Sequence, residues 1–231
     1  MTTNVSTKQY RTTAAIIGGL YVAGMVMGIG GNILTLSILN VPDYLSTISA
    51  NSLVIGIGAL LWLFTVAGDA AHGILMFPIL RRHSETAAVG YLGFRIVDAV
   101  FIAVMVLFIL LQIPLGKEYL KAEFADFSAL DSIGALLIKG NLYAYHIAML
   151  MLGISSVILC WTLYTAALVP RFLALWGFAG YVIIFSGSAL ELLGFDLQSM
   201  HTIPGGLWEL FAGVWLMVKG FNDVPVVSKP A

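Results

Sequence analysis

The sequence predicts an all-α integral membrane protein, a helical bundle of six transmembrane helices with short interfacial helices on its outer side. Three observations carry this expectation. Of 231 residues, 60% are apolar and 10% are charged, which leaves too little polar surface to cover a water-soluble globule of that size. The mean hydropathy is +0.97. The apolar residues gather into runs long enough for a bilayer, and charges, prolines and polar clusters fall between the runs.

The first run, 13–39, follows Lys8 and Arg11 and is read as a mature helix rather than a secretory leader, because no small-residue cleavage site follows it. Its Gly24 and Gly28 form a small-xxx-small pair suited to close helix contact. Gly28-Ile29-Gly30-Gly31 has no strand before it and no Lys after it, so it is not a nucleotide-binding loop. The second and third runs, 52–80 and 86–115, are longer than a bilayer requires and are expected to tilt or protrude. The basic turn Arg81-Arg82-His83 joins them. Residues 116–141 carry Lys117, Glu118, Lys121, Glu123, Asp126, Asp131 and Lys139, too many charges to cross hydrocarbon. Leu120, Phe124, Phe127, Leu130, Ile133 and Leu137 recur there at helical spacing, which predicts one or two short amphipathic helices on the interface. The fourth, fifth and sixth runs are 142–168, 171–195 and 204–221. The whole chain, 1–231, reads as a single membrane domain.

Lys8, Arg11, Arg81, Arg82, Arg171, Lys219 and Lys229 fall on one side of these spans, and Lys117, Lys121 and Lys139 on the other. The positive-inside bias therefore predicts a multi-pass protein of the inner (plasma) membrane with both termini cytoplasmic. A net charge of -1 offers no footprint for nucleic acid. The one cysteine, Cys160, excludes a disulfide framework and reads as packing material deep in the fourth span. His201 reads as a solvated residue of the outer loop before Pro204.

The run from Leu163 through Val169-Pro170-Arg171 to Tyr181, the Phe94-Arg95-Ile96-Val97-Asp98 segment and the ending from Ile203-Pro204-Gly205-Gly206-Leu207-Trp208-Glu209 to Phe221 resemble the bacterial membrane proteins of domain-of-unknown-function family 4386. The resemblance covers nearly the whole chain, with a rather long outer segment between the third and fourth spans as the departure. It implies a prokaryotic multi-span membrane protein and lends no catalytic residues.

Ionisable groups inside spans are costly and are therefore the candidate functional residues. Counted from the turn at His83, Asp69, His72, Arg95 and Asp98 lie about 11 to 15 residues away, a band about 6 Å thick. Asp69 with His72, and Arg95 with Asp98, are three apart, so each pair shares a helix face. Arg95 stays charged and calls for a carboxylate partner in Asp69 or Asp98. The cluster reads as an ion-paired clamp, or as a proton relay or binding site for an anionic headgroup with His72 as the titrating member. The same counting around the later turns puts His146, Glu191 and Glu209 at one depth in the outer half. If they face one cavity, they make a two-acid pair or a metal site. Otherwise they are interfacial residues bonded to Tyr143, Tyr145 or Trp208. No H-E-x-x-H motif supports the metal reading, and the cofactor stays unknown.

Three functions remain open on the sequence. The first is binding or transport of a small apolar, amphipathic or anionic molecule. The others are a metal-assisted intramembrane hydrolase and an accessory or structural subunit of a membrane complex. Membrane lipid is the expected partner, with a small-molecule ligand, self-association or a membrane-complex subunit role as further expectations.

Overall fold

The structure, a computed structural model, describes residues 3–122 and 127–222. Its regular elements are all helical: α1 (Thr3–Leu39), α2 (Tyr44–Ile48), α3 (Ser52–Arg81), α4 (Glu85–Tyr119), α5 (Phe127–Thr165), α6 (Arg171–Leu192) and α7 (Ile203–Val218), with a 3-10 turn at Met200–Thr202. Five of them, including Tyr10–Leu39 of α1 with α3, α4, α5 and α6, are long and apolar enough to cross a membrane. The chain is a multi-pass membrane protein. The expected sixth span is the short helix α7, whose 16 residues reach about 24 Å against a hydrocarbon core of about 30 Å.

The outer segment departs from expectation. Rather than forming separate short helices, 127–141 is the first part of α5, and 116–119 are the last residues of α4. An unbroken helix satisfies its backbone groups internally, where a break beside the membrane would leave them open. Two glycines of this stretch also lie against the small helix α2. Gly134 lies against Tyr44 and Leu45, and Gly116 against Ile48. Asp131 and Lys139 stay exposed. Residues 123–126 of the segment, and Lys229 near the end of the chain, lie outside the described residues.

Each long helix packs on the next in the chain: α1 on α3, α3 on α4, α4 on α5, α5 on α6 and α6 on α7. The last of these, α7, then returns to α1 and closes a ring. Small residues allow the closest crossings, as expected for helices in lipid. Gly18 meets Gly213 where α1 crosses α7, Gly31 meets Gly58 between α1 and α3, and Gly180 meets Gly205 between α6 and α7. Gly28 sits against the Trp62 ring, whereas a side chain at Gly24 would meet nothing within 4 Å. Gly24 lines the interior of the ring instead.

The two ends of the ring differ. On the side of the chain termini, Ile17, Met76, Leu159, Leu163, Leu173 and Leu216 fill it, leaving a void of only about 10 Å³. The Arg11 guanidinium donates to the carbonyls of Met217 and Val218 at the end of α7. Asn222 binds the α5–α6 turn through Leu168 O and Ala167 O, each at 2.8 Å. On the far side the ring opens around a cavity of about 730 Å³. The short α7 explains the opening. Gly206 of α7 already lies level with Met25, so α1 runs on for roughly 16 Å beyond the start of α7.

Candidate functional site

The α3–α4 hairpin is set by Ser84, whose side chain accepts from Ala87 N at 3.2 Å and caps α4. The register so fixed brings the inner cluster together. Arg95 donates through Nη2 to Asp69 Oδ1 at 2.6 Å and through Nη1 to Asp98 Oδ2 at 3.2 Å. Gly73 leaves room for the Arg95 stem to lie against α3. Arg95 and Asp98 are buried, at 4% and 1% exposure, while the Asp69 side chain keeps 19% and faces the cavity. Arg95 Nε and Asp98 Oδ1 have no hydrogen-bond partner among the described residues.

His72 shares the band but bonds elsewhere. Its Nδ1 pairs with the Tyr91 hydroxyl, its ring lies 4.3 Å from that of Tyr21, and its Nε2 is unpartnered. Sequence reasoning passed over Tyr91, although its spacing of four and seven from Arg95 and Asp98 marks one helix face. Trp208 completes the layer below. It donates from Nε1 to Leu173 O at 2.6 Å and sets its ring edge-on to Tyr21 and Tyr181.

The outer layer divides. His146 and Glu191 do approach, Nε2 to Oε2 at 3.8 Å. Glu209 is held elsewhere: the Tyr181 hydroxyl donates to its Oε1 at 2.8 Å. It lines the large cavity within electrostatic reach of Arg95 and Asp69. Equal depth along neighbouring helices placed the three residues in one slab, but α7 turns Glu209 toward the inner cluster. The residue that joins His146 and Glu191 is His201, which is 7% exposed rather than solvated. Its Nε2 lies 3.0 Å from Ser188 Oγ, its ring 5.9 Å from that of His146, and Gly187 makes the space for it. Burial holds the His201 imidazole below its usual range, with the nearby Glu191 charge acting in opposition.

Glu191 shapes the loop between α6 and α7. Its Oε1 accepts from Leu197 N at 3.0 Å and from Ser199 N at 3.1 Å. Gln198 and Ser199 have φ of 51° and 56°, left-handed conformations that cost non-glycine residues energy and need outside support. The carboxylate supplies it, and Gln198 and Ser199 thereby form part of the cavity rim. Among the described residues, no three His, Cys, Asp or Glu side chains are arranged to hold a metal ion.

The site is thus a chamber of the size of a drug-like ligand with an ion cluster at its base, lined on α1, α3, α4, α5, α6 and α7 and rimmed by the loop before α7. The family model described as a domain of unknown function, DUF4386, matches residues 16–220. The chain belongs to that family. The match runs from residue 16 within α1 past the end of α7, so the cavity is built wholly within the family's domain. No curated protein and no solved structure matches the chain.

Proposed function

We propose that the protein binds a small amphipathic molecule in the far-side cavity, as a binding protein or as one state of a transporter. The observation that carries this is a chamber of about 730 Å³, within the usual range of ligand sites, whose base holds the buried Asp69–Arg95–Asp98 cluster with two unpartnered polar atoms. Charged groups inside a membrane are expensive and are kept where they pair or meet cargo. The apolar plug on the terminal side makes this a state open to one face. With α7 as the sixth span and the Lys and Arg bias setting both termini in the cytoplasm, that face is the outer one. The notch above α7 also gives a lipid chain a lateral way in. The separation of Glu209 from His146 and Glu191 removes the support for a three-residue metal hydrolase.

Site-specific labelling tests this reading. The native thiol, Cys160, is fully buried, so an added cysteine reports alone. Gly24→Cys in the chamber is expected to react with a membrane-impermeant maleimide from outside intact cells, and Leu216→Cys in the plug to stay unreacted. An unreactive Gly24→Cys in a folded protein overturns the open chamber, and reaction only from the cytoplasmic face overturns the orientation.

A further inference from the structure

We propose that the chamber selects an organic cation, a protonated or quaternary amine carrying a short apolar chain. This rests on the chamber being a binding site and goes further by naming the headgroup. Among the described residues, three carboxylates reach the chamber, Asp69 from α3, Asp98 from α4 and Glu209 from α7, against one guanidinium, Arg95, and no lysine lines it. Both terminal nitrogens of Arg95 are already engaged by Asp69 and Asp98. An anionic headgroup would have to displace one of those carboxylates and meet the field of all three. A cation meets them directly.

The unsatisfied atoms agree with that sign. Asp98 is 1% exposed and lines the chamber, and its Oδ1, a pure acceptor when ionised, has no donor among the described residues. Glu209 has one oxygen bonded by Tyr181 and remains only half-buried. A buried acceptor without a donor is a standing penalty, which an ammonium group relieves. The carboxylates come from three helices and do not converge as ligands for a compact metal ion. A bulky, weakly hydrated ammonium suits such a spread of charge. Tyr21, Trp62 and Tyr145 add aromatic faces to the wall, to which such cations are drawn. Leu20, Met25, Ile29, Leu152, Ile184 and Ile203 provide apolar wall for a chain.

Titration calorimetry on the full-length protein in a nonionic maltoside micelle decides the matter with three probes of equal chain length: hexyltrimethylammonium, hexanol and hexanoate. The expected order is saturable binding of the ammonium at least about tenfold tighter than hexanol, with hexanoate weakest, as the local field dictates. Asp69→Asn and Glu209→Gln are each expected to weaken the ammonium roughly tenfold and to leave hexanol unchanged. The probe series on the unaltered protein decides the sign even where a variant fails to fold. Equal binding of all three probes, or preference for hexanoate, overturns the cation and leaves the chamber standing. Binding of none overturns the chamber as well. Full affinity in both folded variants overturns the carboxylates as the source of selectivity.

Discussion

Toward the terminal side, α1 and α7 meet glycine on glycine and six aliphatic side chains leave about 10 Å³, while toward the far side the same ring leaves about 730 Å³. Composition does not explain the contrast, since α1 carries glycine in both halves, Gly18 and Gly19 in one and Gly24, Gly28, Gly30 and Gly31 in the other. Helix length does. Where α7 is present, Gly18 and Gly213 bring two backbones into contact. Farther along α1, where α7 draws to its start, Gly24 and Gly28 belong to the chamber wall. The same residue type closes the ring in one half and widens it in the other.

The largest effect expected is on the ion cluster where the two halves meet. Arg95→Leu strands Asp69 and Asp98 and should destabilise the protein by about 3 to 5 kcal/mol, the usual loss when one partner of a buried pair is removed. Thermal melting in detergent checks this, and neutralising the matching aspartate in the same protein should recover part of the loss. Melting of the single variant at the wild-type temperature would show that the cluster does not brace the ring.

The next prediction separates the halves by one substitution. A Cβ at Gly18 would press on the Gly213 carbonyl and Met217, and Gly18→Ala should lower stability by about 1 to 3 kcal/mol through overpacking. Gly24→Ala meets open space and should stay within about 0.5 kcal/mol of wild type. Equal melting temperatures for the two variants would erase the distinction between plug and chamber.

The spacing of charges around His83 made the meeting of Asp69, Arg95 and Asp98 legible, because a short helical hairpin ties depth to residue count. Depth carries no azimuth. That is why Glu209 could be placed at the level of His146 yet belong to another wall. His201 was illegible for a related reason: a loop residue next to Pro204 reads as exposed, but the proline marks where α7 starts. A helix of 16 residues starting there leaves its preceding loop inside the bundle. The long apolar runs announced the membrane fold, whereas 127–141 read as separate because its charges mask a helix that projects past the apolar slab.

Smaller effects sharpen the terminal half. Arg11→Ala removes a cation from the carbonyl end of α7 and should cost about 0.3 to 1 kcal/mol, a loss that grows smaller in high salt. Denaturation at two ionic strengths measures it. Salt-independent loss would place the role of Arg11 in packing. The smallest effect lies on the far rim. Because burial lowers the His201 pKa, the stability due to its neutral form is complete above about pH 6.5 and fades as pH falls toward the lowered value. The facing groups are His146 on α5 and Glu191 on α6. Glu191 offsets part of the change by favouring the charged ring. The protection factors of the Leu197 and Ser199 amides, corrected for intrinsic exchange, should therefore fall below about pH 6.5 and lose that dependence in His201→Asn. pH-independent protection in the parent protein would detach the rim from His201.

The closing of the ring by α7 on α1 has a consequence for how the protein is made. Every other interface between long helices joins neighbours in the chain and is available to form as each hairpin emerges. The contact of Arg11 with Val218 spans 207 residues, so it waits until α7 has been made. Until then the nascent bundle is an open arc whose inner acids, Asp69 and Asp98, have no α7 to shield them from lipid. Non-local closure of this kind is slow compared with hairpin formation, and an incomplete chain with exposed polar groups is the species that membrane quality control meets first. The last helix of the ring is thus a timing device for biogenesis: the chamber comes into existence only once α7 is in place.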